Sequence, residues 1–221
     1  MIRLALCDLT LQRRSLFAQL PVLAVVAAVF MTMEEGFPGI PPVVIGMGAW
    51  TYAVRAAYED DKSEMWVFLR ALPIPPAQIV GARFISSALV VFLFALLVAS
   101  PLPLLATPNA RSWCWAIAIG VAMGMMMTAL FQVVYYRFGY RAASTWFRYV
   151  FLVFFIPVLV PWARLKDNPL AERMAAHLIA GVTWLAAHPA AGAVLAAALI
   201  LLFYLGAWGY ACAAFARKEL T

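Results

Sequence analysis

The chain has 221 residues, 66% hydrophobic and 12% charged, with a formal net charge of +6 and a mean hydropathy of +0.91. So few charged groups cannot cover a soluble domain, so the solvent this composition requires is a bilayer. The basic residues are scattered through short loops, a pattern that suits an anionic leaflet and not a nucleic-acid patch.

The N-terminal segment Ile2–Phe17 reads as an interfacial helix. Arg3, Cys7, Thr10 and Arg14 fall on one stripe, with Ile2, Leu6, Leu9 and Leu16 towards one side of it, while Leu4 and Leu11 lie off this pattern. The apolar run after Arg13-Arg14 has no small-x-small cleavage site, so it is read as a retained span and not as a signal peptide. A spanning helix needs about 20 mostly apolar residues. Six segments approach this: Leu16–Met33, Ile40–Ala57, Gln78–Ala99, Trp113–Tyr136, Phe147–Trp162 and Ala190–Ala214. Arg55 falls near the end of the second, one turn from the interface, where an arginine can snorkel.

Between the second and third segments lies the one long charged passage, Glu59–Pro76. Glu59, Asp60, Asp61 and Glu64 sit where the dipole of a short surface helix would favour acids at its N-terminus. Met65, Phe68, Leu69 and Leu72 follow at i, i+3, i+4 and i+7 and form an apolar stripe, with Trp66 and Arg70 beside it. Pro73, Pro75 and Pro76 end the helix and stiffen the return. The acids also keep such a helix wet whether or not a partner meets them.

Glu34 and Glu35 end the first segment ahead of Gly36-Phe37-Pro38-Gly39. They are candidates for an outer gate or a lure for cationic cargo, and solvation of a loop is the plainer reading. A second loop, Tyr135–Phe147, combines Arg137 and Arg141 with several aromatics and leads to Arg148, as headgroup anchoring or a secondary partner contact requires. Gly46, Gly48, Gly120 and Gly124 suit close helix approach, and Met123, Met125, Met126 and Met127 suit adaptable packing. Asn168-Pro169 starts a further helix, with Leu170, Met174, Leu178, Val182 and Leu185 at helical spacing. It is read as an external helix between the fifth and sixth spans. Of the 16 Lys and Arg residues, 12 fall on the side of both termini and the acidic loop and four on the other. That places both termini and Glu59–Pro76 in the cytoplasm.

Catalytic signatures are absent: there is no phosphate loop, no His-Glu-x-x-His and no Gly-x-Ser-x-Gly. His177 and His188 lack metal-ligand spacing, and Cys7, Cys114 and Cys212 are too scattered for a disulfide framework or a metal site. No Asp, Glu, Lys or His stands at the middle of any predicted span. Carriers driven by protons or ions need such groups, and ion pores need a filter or charged ring. Work done by this chain must therefore enter through its cytoplasmic face.

The lead-in Tyr58-Glu59-Asp60, the Trp66-Val67-Phe68-Leu69 turn, then Leu72-Pro73-Ile74, Val80 and Arg83-Phe84 resemble the small permease subunits of type-2 ABC exporters. The external element before the last span is similar too. The motif-like part is confined to the loop around Leu72-Pro73-Ile74. The resemblance implies an all-α integral membrane fold: six transmembrane helices, an N-terminal interfacial helix, a coupling helix between spans two and three, and an external helix between spans five and six. It implies one transmembrane permease domain over residues 1–221, in the inner or plasma membrane.

In such a family Glu59, Asp60, Asp61, Glu64, Met65, Phe68, Leu69, Arg70, Leu72, Pro73 and Ile74 dock into a cytosolic ABC ATPase subunit. That subunit holds the ATP and Mg, and the permease itself carries no cofactor and no catalytic residue. A second copy or sister permease completes the membrane unit, and spans one, two and five line the path. The spans are aromatic and aliphatic, which suits a hydrophobic or amphipathic cargo such as a peptide, a lipid-like compound or a drug. The rival reading is a non-transporting membrane anchor that recruits a cytosolic partner through its acidic loop. Cysteine labelling from outside the cell is expected to reach positions near Asn109 and Asp167 but not Ser63→Cys. Labelling of Ser63→Cys from outside would reverse the orientation.

Overall fold

The computed structural model describes residues 3–10, 12–13, 17, 21, 25, 40–63, 65, 73–100, 110–159 and 189–217. All of the regular structure among them is helical. A helix at residues 3–10 (α1) is followed by α2 (Ile40–Lys62), α3 (Pro76–Ala99), α4 (Ala110–Phe138), α5 (Tyr140–Leu159) and α6 (Pro189–Arg217). Among the described residues three helices are long and apolar enough to cross a membrane: Pro76–Ala99, Cys114–Phe138 and Ala191–Arg217. They coincide with the third, fourth and sixth predicted spans. α2 and α5 stand where the second and fifth were expected. The first predicted span and the external helix after Asn168 lie almost wholly or wholly outside the described residues.

The chain divides into two compact units, Met1–Ala143 with Phe203–Thr221, and Ser144–Leu202. In the first, α2, α3 and α4 pack against one another. Val44, Ile45, Ala49 and Tyr52 of α2 meet Val90, Val91, Phe94, Ala95 and Val98 of α3 in one buried layer, and Leu9, Ile117, Val121 and Met125 pack on its border. The spacing Ile45, Ala49, Tyr52 and Val91, Phe94, Val98 puts one stripe of each helix inward. Between lipid-embedded helices water is not there to drive association, so close packing must hold them. Gly124 provides it: a Cβ there would meet Val91 of α3 at 3.2 Å and Ala49 of α2 at 3.5 Å. In the second unit the described side chains of α6, among them Val194, Leu195, Leu199, Leu201 and Leu202, are mostly exposed and apolar, as a surface in lipid requires.

One local reading is corrected. The stretch Tyr135–Phe147 is not a loop: helix continues on both sides of a single joint residue, Gly139, whose φ is +86°. Only glycine takes that left-handed conformation without a Cβ clash, so one residue suffices to pass from α4 to α5. The N-terminal segment is helical at residues 3–10, and the side it turns to the bundle is partly polar. Ala5 and Gln12 are buried, Asp8 and Leu9 are half-buried, and Leu6 is exposed. Arg3, Cys7 and Thr10 do share the exposed face.

Replacing Gly124 by Leu is expected to wedge α4 away from α2 and α3 and to destabilise the bundle by about 1–3 kcal/mol. Thermal unfolding in detergent should show this as a lowered midpoint. Gly46→Ala, whose nearest neighbour is the flexible Met123 side chain at 3.6 Å, should be close to neutral in the same assay.

Candidate functional site

α3 opens with Pro75 as its extended N-cap and Pro76 at its first position, where the missing N–H is not needed. Seven residues on, about 10 Å along the axis, stands Arg83, with 13% of its side chain exposed. A guanidinium stays charged in any protein environment, so at this depth it requires anionic partners.

The chain supplies two, from different elements. Asp8 of α1 accepts a bond from Arg83 Nη1 at 2.6 Å, and Asp60 of α2 accepts one from Nη2. The planar fork of the guanidinium thus bridges both carboxylates. Two carboxylates against one cation leave a net negative charge, which neighbouring donors spread. Gln12 Nε2 donates to Asp8 Oδ1 at 3.3 Å, while Ser86 Oγ and Tyr52 Oη donate to Asp8 Oδ2 at 2.5 and 3.4 Å. Burial pushes the Asp60 carboxyl above its ordinary range, and the Arg83 charge pulls against that.

The same stretch of α3 is tied to two more helices. Gln132 of α4 donates through Nε2 to Ser87 Oγ at 2.6 Å and to the Arg83 carbonyl at 3.4 Å. Tyr204 of α6 donates to the Phe84 carbonyl at 2.6 Å, and its ring meets that of Phe84 edge-on with centroids 5.2 Å apart. Residues 83–87 are therefore a polar hub that contacts α1, α2, α4 and α6.

The hub flanks the charged passage. Glu59, Asp60 and Asp61 do not start a separate helix; they lie in the last turns of α2, which Ser63 closes by bonding to the Glu59 carbonyl from N–H and Oγ at 3.0 and 2.6 Å. Acids at a C-terminus oppose the helix dipole. Asp60 has this offset by Arg83, and Lys62 adds a cation in the same turn. Glu59 and Asp61 are exposed, whereas Asp60 is 8% exposed and already committed within the chain. Met65 is half-buried, Pro73 is exposed and Ile74 is half-buried. Glu64, Phe68, Leu69, Arg70 and Leu72 lie outside the described residues, as do Glu34 and Glu35.

Sequence reasoning missed Asp8 and the inward turn of Asp60. The available signal was Arg83 itself: a charge inside an apolar run demands a counter-charge on the same side of the membrane. Among the described residues no group of His, Cys, Asp or Glu is placed to hold a metal ion.

A family profile described as ABC-2 family transporter protein matches residues 3–211, a range that includes α1 and the whole hub. No curated protein matches the chain.

Replacing Arg83 by Met is expected to leave the buried Asp60 and half-buried Asp8 carboxylates without their cation and to destabilise the bundle by about 3 kcal/mol or more. The triple change Asp8→Asn, Asp60→Asn, Arg83→Met should recover much of that loss. Comparing folded yield and thermal midpoint of the two variants in detergent checks both statements.

Proposed function

The chain belongs to the ABC-2 family of transporter proteins, a membrane permease of an ABC transporter that works with an ABC ATPase subunit, and on that premise we propose that it is the membrane half of an ATP-driven exporter. In this reading six spans form the permease, both termini face the cytoplasm, and a second copy or sister permease completes the membrane unit. ATP and Mg bind in the ATPase. Cargo is hydrophobic or amphipathic, which the apolar, nearly uncharged character of the spanning helices favours.

The observation that carries the mechanism is the Arg83 hub. The segment 63–75 leaves α2 just after Asp60 and re-enters α3 just before Arg83, and these two residues are bonded to each other. A push on the segment is thus applied to a joint that clamps α1, α2 and α3, and does not dissipate in a slack loop. Closure of the ATPases on ATP would displace Glu59–Pro76, and the hub would pass that displacement to the helices as a unit. The proposed contact residues divide accordingly. Glu59 and Asp61 face outward to meet basic residues of the ATPase, with Glu64, Met65, Phe68, Leu69, Arg70, Leu72, Pro73 and Ile74 completing the docking surface. Asp60 acts from inside, holding the base of the segment.

The double change Glu59→Lys, Asp61→Lys is expected to lower cargo-stimulated ATP hydrolysis by the reconstituted complex at least tenfold while leaving the permease folded. Loss of about 1.4 kcal/mol of docking energy corresponds to that factor. Unchanged hydrolysis and transport in this variant would remove the coupling role of these acids. A stable complex with a partner that is not an ATPase, and no transport, would favour the membrane-anchor reading.

A further inference from the structure

A second feature of the same end of α2 is not used by the hub. A cavity of about 500 Å³ opens between α2 and the start of α5. Two neighbouring rows of α2 line it, each with four-residue spacing: Trp50, Val54 and Tyr58 on one, Thr51, Arg55 and Glu59 on the other. Tyr140, the first residue of α5, also lines it, with its ring 5.6 Å from that of Tyr58 and tilted by 58°.

The charges in this cavity are arranged unusually. Arg55 and Glu59 stand one helical turn apart, both exposed, yet among the described residues the ion pairs run to Arg83 and none joins these two. Arginine preceding glutamate at i, i+4 is the weaker order for such a pair. The cavity therefore presents a cation and an anion to a ligand side by side, with the Tyr58 and Tyr140 rings at the same end and Trp50 further along. A guanidinium selects phosphate oxygens, which it can grip with two parallel bonds. A carboxylate beside tyrosine rings selects an ammonium, held by charge and by the ring faces. With Cβ atoms about 5–6 Å apart at i and i+4, the two side chains can reach a phosphate and an ammonium joined by a two-carbon bridge. Trp and Tyr are also the residues that settle at the level of lipid headgroups.

We propose that this cavity binds the zwitterionic headgroup of a membrane phospholipid, phosphoethanolamine or phosphocholine, with its phosphate on Arg55 and its ammonium on Glu59 beside Tyr58 and Tyr140. The inference goes beyond the coupling role and shares Glu59 with it: the lipid headgroup occupies Glu59 when no ATPase is docked there, so binding is measured on the permease alone.

The test is native mass spectrometry of the purified full chain in detergent, titrated with dihexanoyl phosphatidylethanolamine, phosphatidylcholine and phosphatidylglycerol. Both zwitterionic lipids should bind, and phosphatidylglycerol should bind at least tenfold more weakly. Arg55→Gln should lower zwitterionic binding by about tenfold, the effect of losing one charge-assisted hydrogen bond. Glu59→Gln should lower zwitterionic binding while leaving phosphatidylglycerol unaffected. Both side chains are exposed, so neither change should disturb folding. Equal binding of phosphatidylglycerol, or Arg55→Gln binding like the unaltered chain, would overturn the site. Competition by free phosphoethanolamine as strong as that of the lipid would overturn a lipid as its source. Because the readout is lipid binding, failure of the coupling role would leave this result standing.

Discussion

A charged arginine inside an apolar bundle is the constraint around which this protein is arranged. Arg83 cannot shed its proton and is too deep to reach bulk water, so its position is tolerable only while Asp8 and Asp60 are in place. That condition fixes the geometry of three elements at once. α1 must lie with Asp8 inward, α2 must continue far enough to deliver Asp60, and α3 must enter at a register that puts Arg83 between them. Ser86 and Tyr52 then donate to the other Asp8 oxygen, and Gln12 adds a second donor to the one that Arg83 holds. Replacing such a hub by apolar residues is often neutral or stabilising, so the energy of the pairs does not by itself explain the arrangement. Its mechanical consequence supplies a reason: the two ends of the charged segment are locked to each other.

The packing around the hub follows a different rule. In lipid, helices associate through fit, and small residues allow backbones to approach. Gly124 sits where α2, α3 and α4 come together, against Val91 and Ala49. The aliphatic and aromatic side chains of α2 and α3 fill the layer beside it. Close packing along α2, α3 and α4 and charge pairing at one end are what the proposed drive from the polar end would need.

How far the sequence is legible differs between these two parts. The third, fourth and sixth spans fall within a few residues of the observed α3, α4 and α6, because long apolar runs bounded by proline or charge leave little choice in a bilayer. The turn at Pro75-Pro76 is readable for the same reason: proline fixes its own φ and belongs at a first helical turn. Gly139 was harder to read. A glycine between two aromatic, arginine-containing stretches looks like part of a loop, and its left-handed φ, which lets helix run on both sides, is a property of the folded backbone. The acids of the charged passage carried a similar ambiguity. Glu59, Asp60 and Asp61 suit the N-terminus of a new helix by dipole, and they instead end an old one because Arg83, 23 residues on, offsets the charge of the middle acid.

The sequence by itself determined that the chain lives in a membrane, that it is helical, that it has no nucleotide-binding loop of its own, and that its one concentrated charge lies between two apolar runs. These follow from composition, periodicity and the absence of motifs, which are properties of residues in order. Only the tertiary structure decided which charges face each other. Asp8 and Arg83 are 75 positions apart, and no spacing rule joins them. Their pairing exists because three helices cross at one depth, where low polarity leaves an arginine no alternative to the carboxylates that packing brings to it.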